Sequence, residues 1–229
     1  MPAQDKLIVA LDVPEAAEAL ALAKTLAGSV GLFKIGMELF YAAGPRVVEQ
    51  VVELGQKVFL DLKLHDIPNT VSGAVHSVRN LGVSMLTLHI SGGPEMLKAA
   101  RAAAGDMTLL GVTVLTSLSA EDLKLLGITD GPREQAVRLA GLAAAAGLDG
   151  VICSPREAAA VKKAGDRLLA VTPGIRPAGE TPGDQKRVLT PREAILQGAD
   201  YLVVGRPITR AADPVAAAKK IAQEMEAGQ

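Results

Sequence analysis

A single cysteine in 229 residues excludes a disulfide framework. That cysteine, Cys153, lies in the apolar run Val151-Ile152-Cys153, where a thiol is expected to pack as a small buried hydrophobe. Charge of one sign is also lacking. With 24 Lys and Arg against 25 Asp and Glu, the formal charge of −1 provides no bulk attraction to nucleic acid or to an anionic membrane. Any anion bound must therefore be held by a local site. No apolar run approaches the roughly 20 residues of a membrane span, and residues 1–6 are polar, without the apolar core of a signal peptide. These absences point to a soluble, cytoplasmic protein with no nucleic-acid or membrane partner. The histidines at 65 and 76 have no cysteine or carboxylate spacing typical of zinc, and Ser117 lacks a Gly-x-Ser-x-Gly context.

What is present is an alternation. Runs rich in Val, Ile and Leu alternate with Ala-rich segments of helical period, the pattern of a parallel sheet with crossover helices. Strands are expected at 7–12, 32–36, 58–62, 85–89, 109–115, 150–153, 168–172 and 201–205. Helices are expected at 15–27, 45–54, 71–81, 94–103, 133–146, 155–164, 191–197 and 214–227. Several helices open on proline and several close on glycine, as at Gly82, Gly147 and Gly198. Eight such units predict a single (β/α)8 TIM barrel over residues 1–229, although the alternation also fits a doubly wound sheet. One connection, 173–187, is longer than a compact barrel needs and rich in Gly, Pro and charge. Its length suggests a lid or binding loop.

In a barrel, chemistry is expected at the carboxyl ends of the strands. Polar residues interrupt the apolar strands there. Asp12 ends the first strand, Lys34 lies in the second, and Asp61, Lys63 and Asp66 follow one another at the end of the third. Strand alternation places Asp61 and Lys63 on one face. With Lys34 and Asp66 they can form an alternating chain of charges, either catalytic or a buried structural ion-pair cluster. A second group suits phosphate. Arg176 and Gln185 lie in the long connection and Gly205-Arg206 follows the eighth strand, where barrels often bind phosphate. Glycine permits close backbone approach, and arginine offers a fork of donors.

The segment Asp61-Leu62-Lys63-Leu64-His65-Asp66-Ile67-Pro68-Asn69-Thr70-Val71 resembles the signature of the orotidine 5′-phosphate decarboxylase family. The resemblance extends through Val9-Ala10-Leu11-Asp12, Phe33-Lys34-Ile35-Gly36, Pro173-Gly174-Ile175-Arg176-Pro177 and Val203-Val204-Gly205-Arg206-Pro207. It implies decarboxylation of orotidine 5′-monophosphate to UMP in pyrimidine synthesis, with no metal or organic cofactor. By that resemblance Lys63 is the proton donor, and Lys34, Asp61 and Asp66 complete the charge array. Asp12 contacts ribose or base, Lys34 the sugar hydroxyls, and Thr116 the pyrimidine. Arg176, Gln185, Gly205 and Arg206 hold the phosphate. It further implies a homodimer with shared active sites, Asp66 and Thr70 entering from the partner and Ile67 belonging to the same substrate-binding segment.

Three rival readings remain. The Asp-x-Lys-x-x-Asp core is shared with metal-dependent sugar-phosphate lyases of the same barrel group. Those relatives place a carboxylate where this chain has Lys34, and a second cation makes a poor site for a hard divalent ion. A non-catalytic barrel that binds a nucleotide phosphate is the second. A Schiff-base aldolase is the third, although it needs an uncharged amine and flanking carboxylates favour the ammonium. His89, which ends the fourth strand, is expected to be a hydrogen-bonded packing histidine.

Overall fold

The structure, a computed structural model, describes residues 1–177 and 188–228. Its strands are β1 (Leu7–Ala10), β2 (Leu32–Gly36), β3 (Val58–Leu64), β4 (Met85–His89), β5 (Thr108–Val112), β6 (Gly150–Ile152), β7 (Leu169–Thr172) and β8 (Tyr201–Val204). All pair in parallel and close into a barrel in chain order. The helices around it are α1 (Ala16–Leu26), α2 (Met37–Ala43), α3 (Arg46–Glu53), α4 (Pro68–Arg79), α5 (Pro94–Ala104), α6 (Ala120–Leu125), α7 (Pro132–Ala145), α8 (Ala158–Ala164), α9 (Pro191–Leu196), α10 (Arg206–Thr209) and α11 (Pro214–Glu226). The (β/α)8 expectation holds and the doubly wound alternative does not. Among the described residues no helix is long and apolar enough to cross a membrane.

Local sequence explains most boundaries. Proline stands in the first turn of α4, α5, α7, α9, α10 and α11, where a missing N–H leaves no bond unmade. Ser119 with Asp122 and Thr190 with Glu193 form reciprocal capping boxes at α6 and α9. Three helices were not expected from the sequence: α2, α6 and α10. All have seven residues or fewer, too short for a helical apolar period to stand out.

Strand alternation builds two apolar shells. Leu7, Val9, Phe33, Ile35 and Leu86 face outward into the helix layer, whereas Ile8, Leu32, Phe59, Met85, Leu110 and Val203 fill the barrel interior. Two residues beyond Leu32, Phe59 and Met85, on the same faces, come Lys34, Asp61 and Thr87. The interior therefore changes from apolar to polar within one layer as the carboxyl ends are approached.

The third strand departs from regular pairing. Leu60 registers with Leu86 and Leu64 with Leu88, so β3 spends four residues where β4 spends two. The extra length forms a bulge over Asp61, Leu62 and Lys63. It corrects two expectations: the strand runs to Leu64 rather than 62, and simple alternation does not govern Lys63, which takes a left-handed backbone with φ 52°.

Candidate active site

At the mouth of the barrel two lysines converge on one carboxylate. Lys63 Nζ donates to Asp61 Oδ2 at 2.9 Å, and Lys34 Nζ stands 3.8 Å from the same oxygen. Lys34 Nζ also donates to Asp12 Oδ1 at 2.8 Å. The side chains of Lys34 and Asp61 are 11% and 13% exposed, so these charges are largely withdrawn from water. Each is compensated by an opposite charge, as a buried ion requires.

The bulge brings Lys63 into this cluster. A left-handed residue with a Cβ costs about 1–2 kcal/mol, and such strain persists only where the surroundings over-determine it. Thr87, fully buried on β4, supplies part of that constraint. Its Oγ1 accepts from the Lys63 N–H at 2.9 Å and donates to Asp61 Oδ1 at 2.9 Å. Thr87 is not legible in the sequence, because a threonine within Met85-Leu86-Thr87-Leu88 looks like an ordinary strand former.

Two adjoining cavities open on the cluster. One, of about 200 Å³, is lined by Lys34, Asp61, Lys63 and Thr116, with Val112 and Ile152 among its apolar walls. The other, of about 330 Å³, is lined by Asp12, Lys34, Arg176, Gly205, Arg206 and Arg210. Lys34, Pro173 and Val203 border both. One chamber thus presents apolar walls with a few charged groups, and the other three guanidinium groups suited to an oxyanion. Arg210, one turn beyond Arg206, was another residue missed from sequence; its spacing from Arg206 was the available signal.

The base of the long connection is fixed at both sides. Ile175 and Leu189 form a parallel bridge, with Arg176 N donating to Leu189 O at 3.0 Å and Leu189 N to Gly174 O at 3.3 Å. This tie holds Arg176 beside the cavity. Gln185, and with it most of the segment expected to be a lid, lies outside the described residues.

Asp66, Ile67 and Thr70 are not brought into the cluster of their own chain. All three are exposed at the start of α4, Ile67 at 67%, and none lines either cavity. The Asp66 carboxylate instead accepts from the Ile67 N–H at 2.6 Å. The expected four-membered array is therefore present within one chain as Lys34, Asp61 and Lys63, with Asp12 in place of Asp66. Cys153 is buried as expected, on the cavity wall. His89 lines neither cavity; its ring packs against His65 with centroids 5.4 Å apart. Burial, then the neighbouring His65 and Lys63, lower its pKa from the ordinary 6.5. Among the described residues no group of three or more His, Cys, Asp or Glu is placed to hold a metal ion.

Enzymes of this fold work at the carboxyl ends of their strands, and that is where the lysine–carboxylate centre and the arginine-lined cavity lie. The molecule is a (β/α)8-barrel enzyme with a lysine–carboxylate charge cluster at its centre. The sequence narrows the class: residues 5–221 match the model of the Orotidine 5'-phosphate decarboxylase / HUMPS family, and the chain belongs to that family. It is 52% identical over 237 residues to "Orotidine 5'-phosphate decarboxylase" of Moorella thermoacetica, covering 99% of this chain and 94% of the relative. The protein of the same name from Halorhodospira halophila is 53% identical over 232 residues, covering 99% and 98%. The crystal structure of orotidine 5'-phosphate decarboxylase from Lactobacillus acidophilus superposes with a TM-score of 0.85 at 40% identity, covering 96% of this chain and 98% of that one.

Proposed function

We propose that the protein decarboxylates orotidine 5′-monophosphate to UMP in the cytoplasm, with Lys63 as the proton donor. The observation that carries this reading is the Lys34–Asp61–Lys63 cluster beside a cavity lined by Arg176, Arg206 and Arg210. The phosphate occupies the arginine-lined cavity, Gly205 and Gln185 serving the same end. The pyrimidine lies over Lys63 against Thr116, and Asp12 and Lys34 contact the ribose.

In the reaction the carbon–carbon bond to the carboxylate breaks, its electron pair stays on the ring carbon, and carbon dioxide leaves. Lys63 Nζ then transfers a proton to that carbon and is reprotonated from solvent. An ammonium held beside the developing carbanion stabilises it before protonating it, and does so more strongly in a site shielded from water. Contacts at the distant phosphate supply binding energy that can be expressed in the transition state. Metal assistance fits the residues poorly: Lys34 occupies the neighbourhood of Asp61 where a hard divalent ion would need oxygen ligands. The site is completed by a second copy of the chain, whose Asp66, Ile67 and Thr70 project from an exposed segment toward the cluster.

Ultraviolet absorbance of orotidine 5′-monophosphate, followed with and without a chelator, tests the reading. Loss of the orotate chromophore at the same rate in both is expected. Tight UMP binding without turnover would make the protein a binding barrel, and activity lost on chelation and restored by magnesium would make it a metal-dependent lyase.

A further inference from the structure

We infer that Thr87 is a positioning residue for the decarboxylation, its hydroxyl fixing both the carboxylate of Asp61 and the backbone of Lys63. The hydroxyl has one hydrogen to give. Because the Lys63 N–H points at Thr87 Oγ1 from 2.9 Å, that oxygen is an acceptor there, and its own hydrogen is directed to Asp61 Oδ1, also 2.9 Å away. The Asp61 rotor is thereby set, and its other oxygen, Oδ2, faces the ammonium groups of Lys63 and Lys34. One buried side chain thus couples the two ends of the ion pair.

The bulge explains why a side chain is needed there. With two more residues on β3 than on β4 between the Leu60–Leu86 and Leu64–Leu88 registers, the Lys63 N–H has no place in the regular ladder. Thr87 Oγ1 takes it, at the residue whose backbone is left-handed. Valine matches threonine in shape and would fill the same interior position, but it would leave the Lys63 N–H unpaired and Asp61 Oδ1 without its hydroxyl donor, so that the lysines alone hold the carboxylate. Thr87 lines neither cavity, so its contribution reaches substrate only through Asp61 and Lys63.

This inference rests on the assignment of Lys63 and Asp61 to catalysis, and its test separates the two. Thr87→Val, Thr87→Ala and Thr87→Ser are compared with the parent protein and with Lys63→Ala, each checked by circular dichroism and by titration with UMP. Expected for Thr87→Val and Thr87→Ala is a kcat lowered on the order of 10- to 100-fold. KM and UMP affinity should stay within about twofold, because the arginines of the neighbouring cavity and the apolar wall at Val112 and Ile152 are untouched. Thr87→Ser, which keeps the hydroxyl, should recover most of the lost rate. Three results would overturn the inference: a kcat near the parent's in Thr87→Val, no recovery in Thr87→Ser, or a parallel loss of UMP binding and turnover, which would mark a merely structural threonine. Full activity in Lys63→Ala would remove the underlying assignment as well, whereas an inactive Lys63→Ala with a fully active Thr87→Val would leave that assignment standing and dismiss Thr87 alone.

Discussion

Lys63 combines a strained backbone, a short ion pair and a place on the cavity wall. Backbone strain of that kind clusters at functional sites, in keeping with the role proposed for Lys63. Lys63→Ala should therefore keep the fold and much of the UMP affinity while losing decarboxylation by many orders of magnitude, as single-turnover measurements would show; near-normal turnover would refute the assignment. The charged residues of the centre were legible in sequence because each interrupts an apolar strand at its carboxyl end. The partner that orients them was not, since nothing in a sequence tells which strand hydroxyl lies opposite a bulge. His89 makes a different kind of prediction. Its imidazole is depressed mainly by burial, so between its folded pKa and the ordinary 6.5 the unfolded chain binds the proton more readily. The stability it contributes is complete above pH 6.5 and declines as pH falls through the folded value. Chemical denaturation of the parent and of His89→Asn at pH 8 and pH 5 should show a smaller acid loss in the variant, and equal losses would place the acid sensitivity elsewhere.

At the scale of elements, two aspartates at the amino-terminal end of the barrel do matching jobs. Asp149, just before β6, accepts from the Leu109 N–H of β5 at 2.8 Å and from Arg101 of α5 at 2.6 Å. Asp200, just before β8, accepts from the Ala170 N–H of β7 at 2.8 Å and from Lys162 of α8 at 2.7 Å. Each carboxylate pins a strand start to a helix on the face opposite the chemistry. Asp200→Ala should lower stability by about 1–2 kcal/mol, the Lys162 pair being partly exposed and so discounted, while leaving kcat and KM as they were. A fall in activity at full occupancy by folded protein would contradict this division between the ends of the barrel. The eight strands themselves were readable because both faces are buried and their apolar runs are continuous. Their ends were less so: β5 stops at Val112 rather than 115, and β3 runs on to Leu64, because a strand's end is set by its neighbour's register and not by its own composition. The arginines proposed to hold phosphate are positioned in the same distributed way. Arg176 is held by the tie between Ile175 and Leu189, whereas Arg206 opens α10 and Arg210 caps its end. Removing a charge-assisted contact by Arg206→Ala should cost about 1.5–3 kcal/mol in kcat/KM with the nucleotide. With the phosphate-free nucleoside the penalty should nearly vanish, and an equal penalty on both substrates would mean that Arg206 does not read phosphate.

For the whole molecule, the exposed run from Asp66 to Thr70 poses the largest question, since one chain leaves it outside its own site. If two copies share their sites, a symmetric dimer contains two composite centres, each with Lys63 from one chain and Asp66 from the other. Lys63→Ala and Asp66→Ala should then each be nearly inactive alone and complement when mixed under conditions that allow subunit exchange. In a mixed dimer, the site built on the Asp66→Ala subunit keeps its own Lys63 and receives Asp66 from its neighbour, so it is whole; the other site lacks both groups. With equal amounts and random pairing, half the dimers are mixed and half of their sites are intact, so about a quarter of the parent activity should return. Exchange can be verified independently by mass spectrometry of differently labelled subunits. If labelled subunits exchange and activity stays at the level of the single variants, Asp66 acts within its own chain, and the segment that carries it must turn inward when substrate binds.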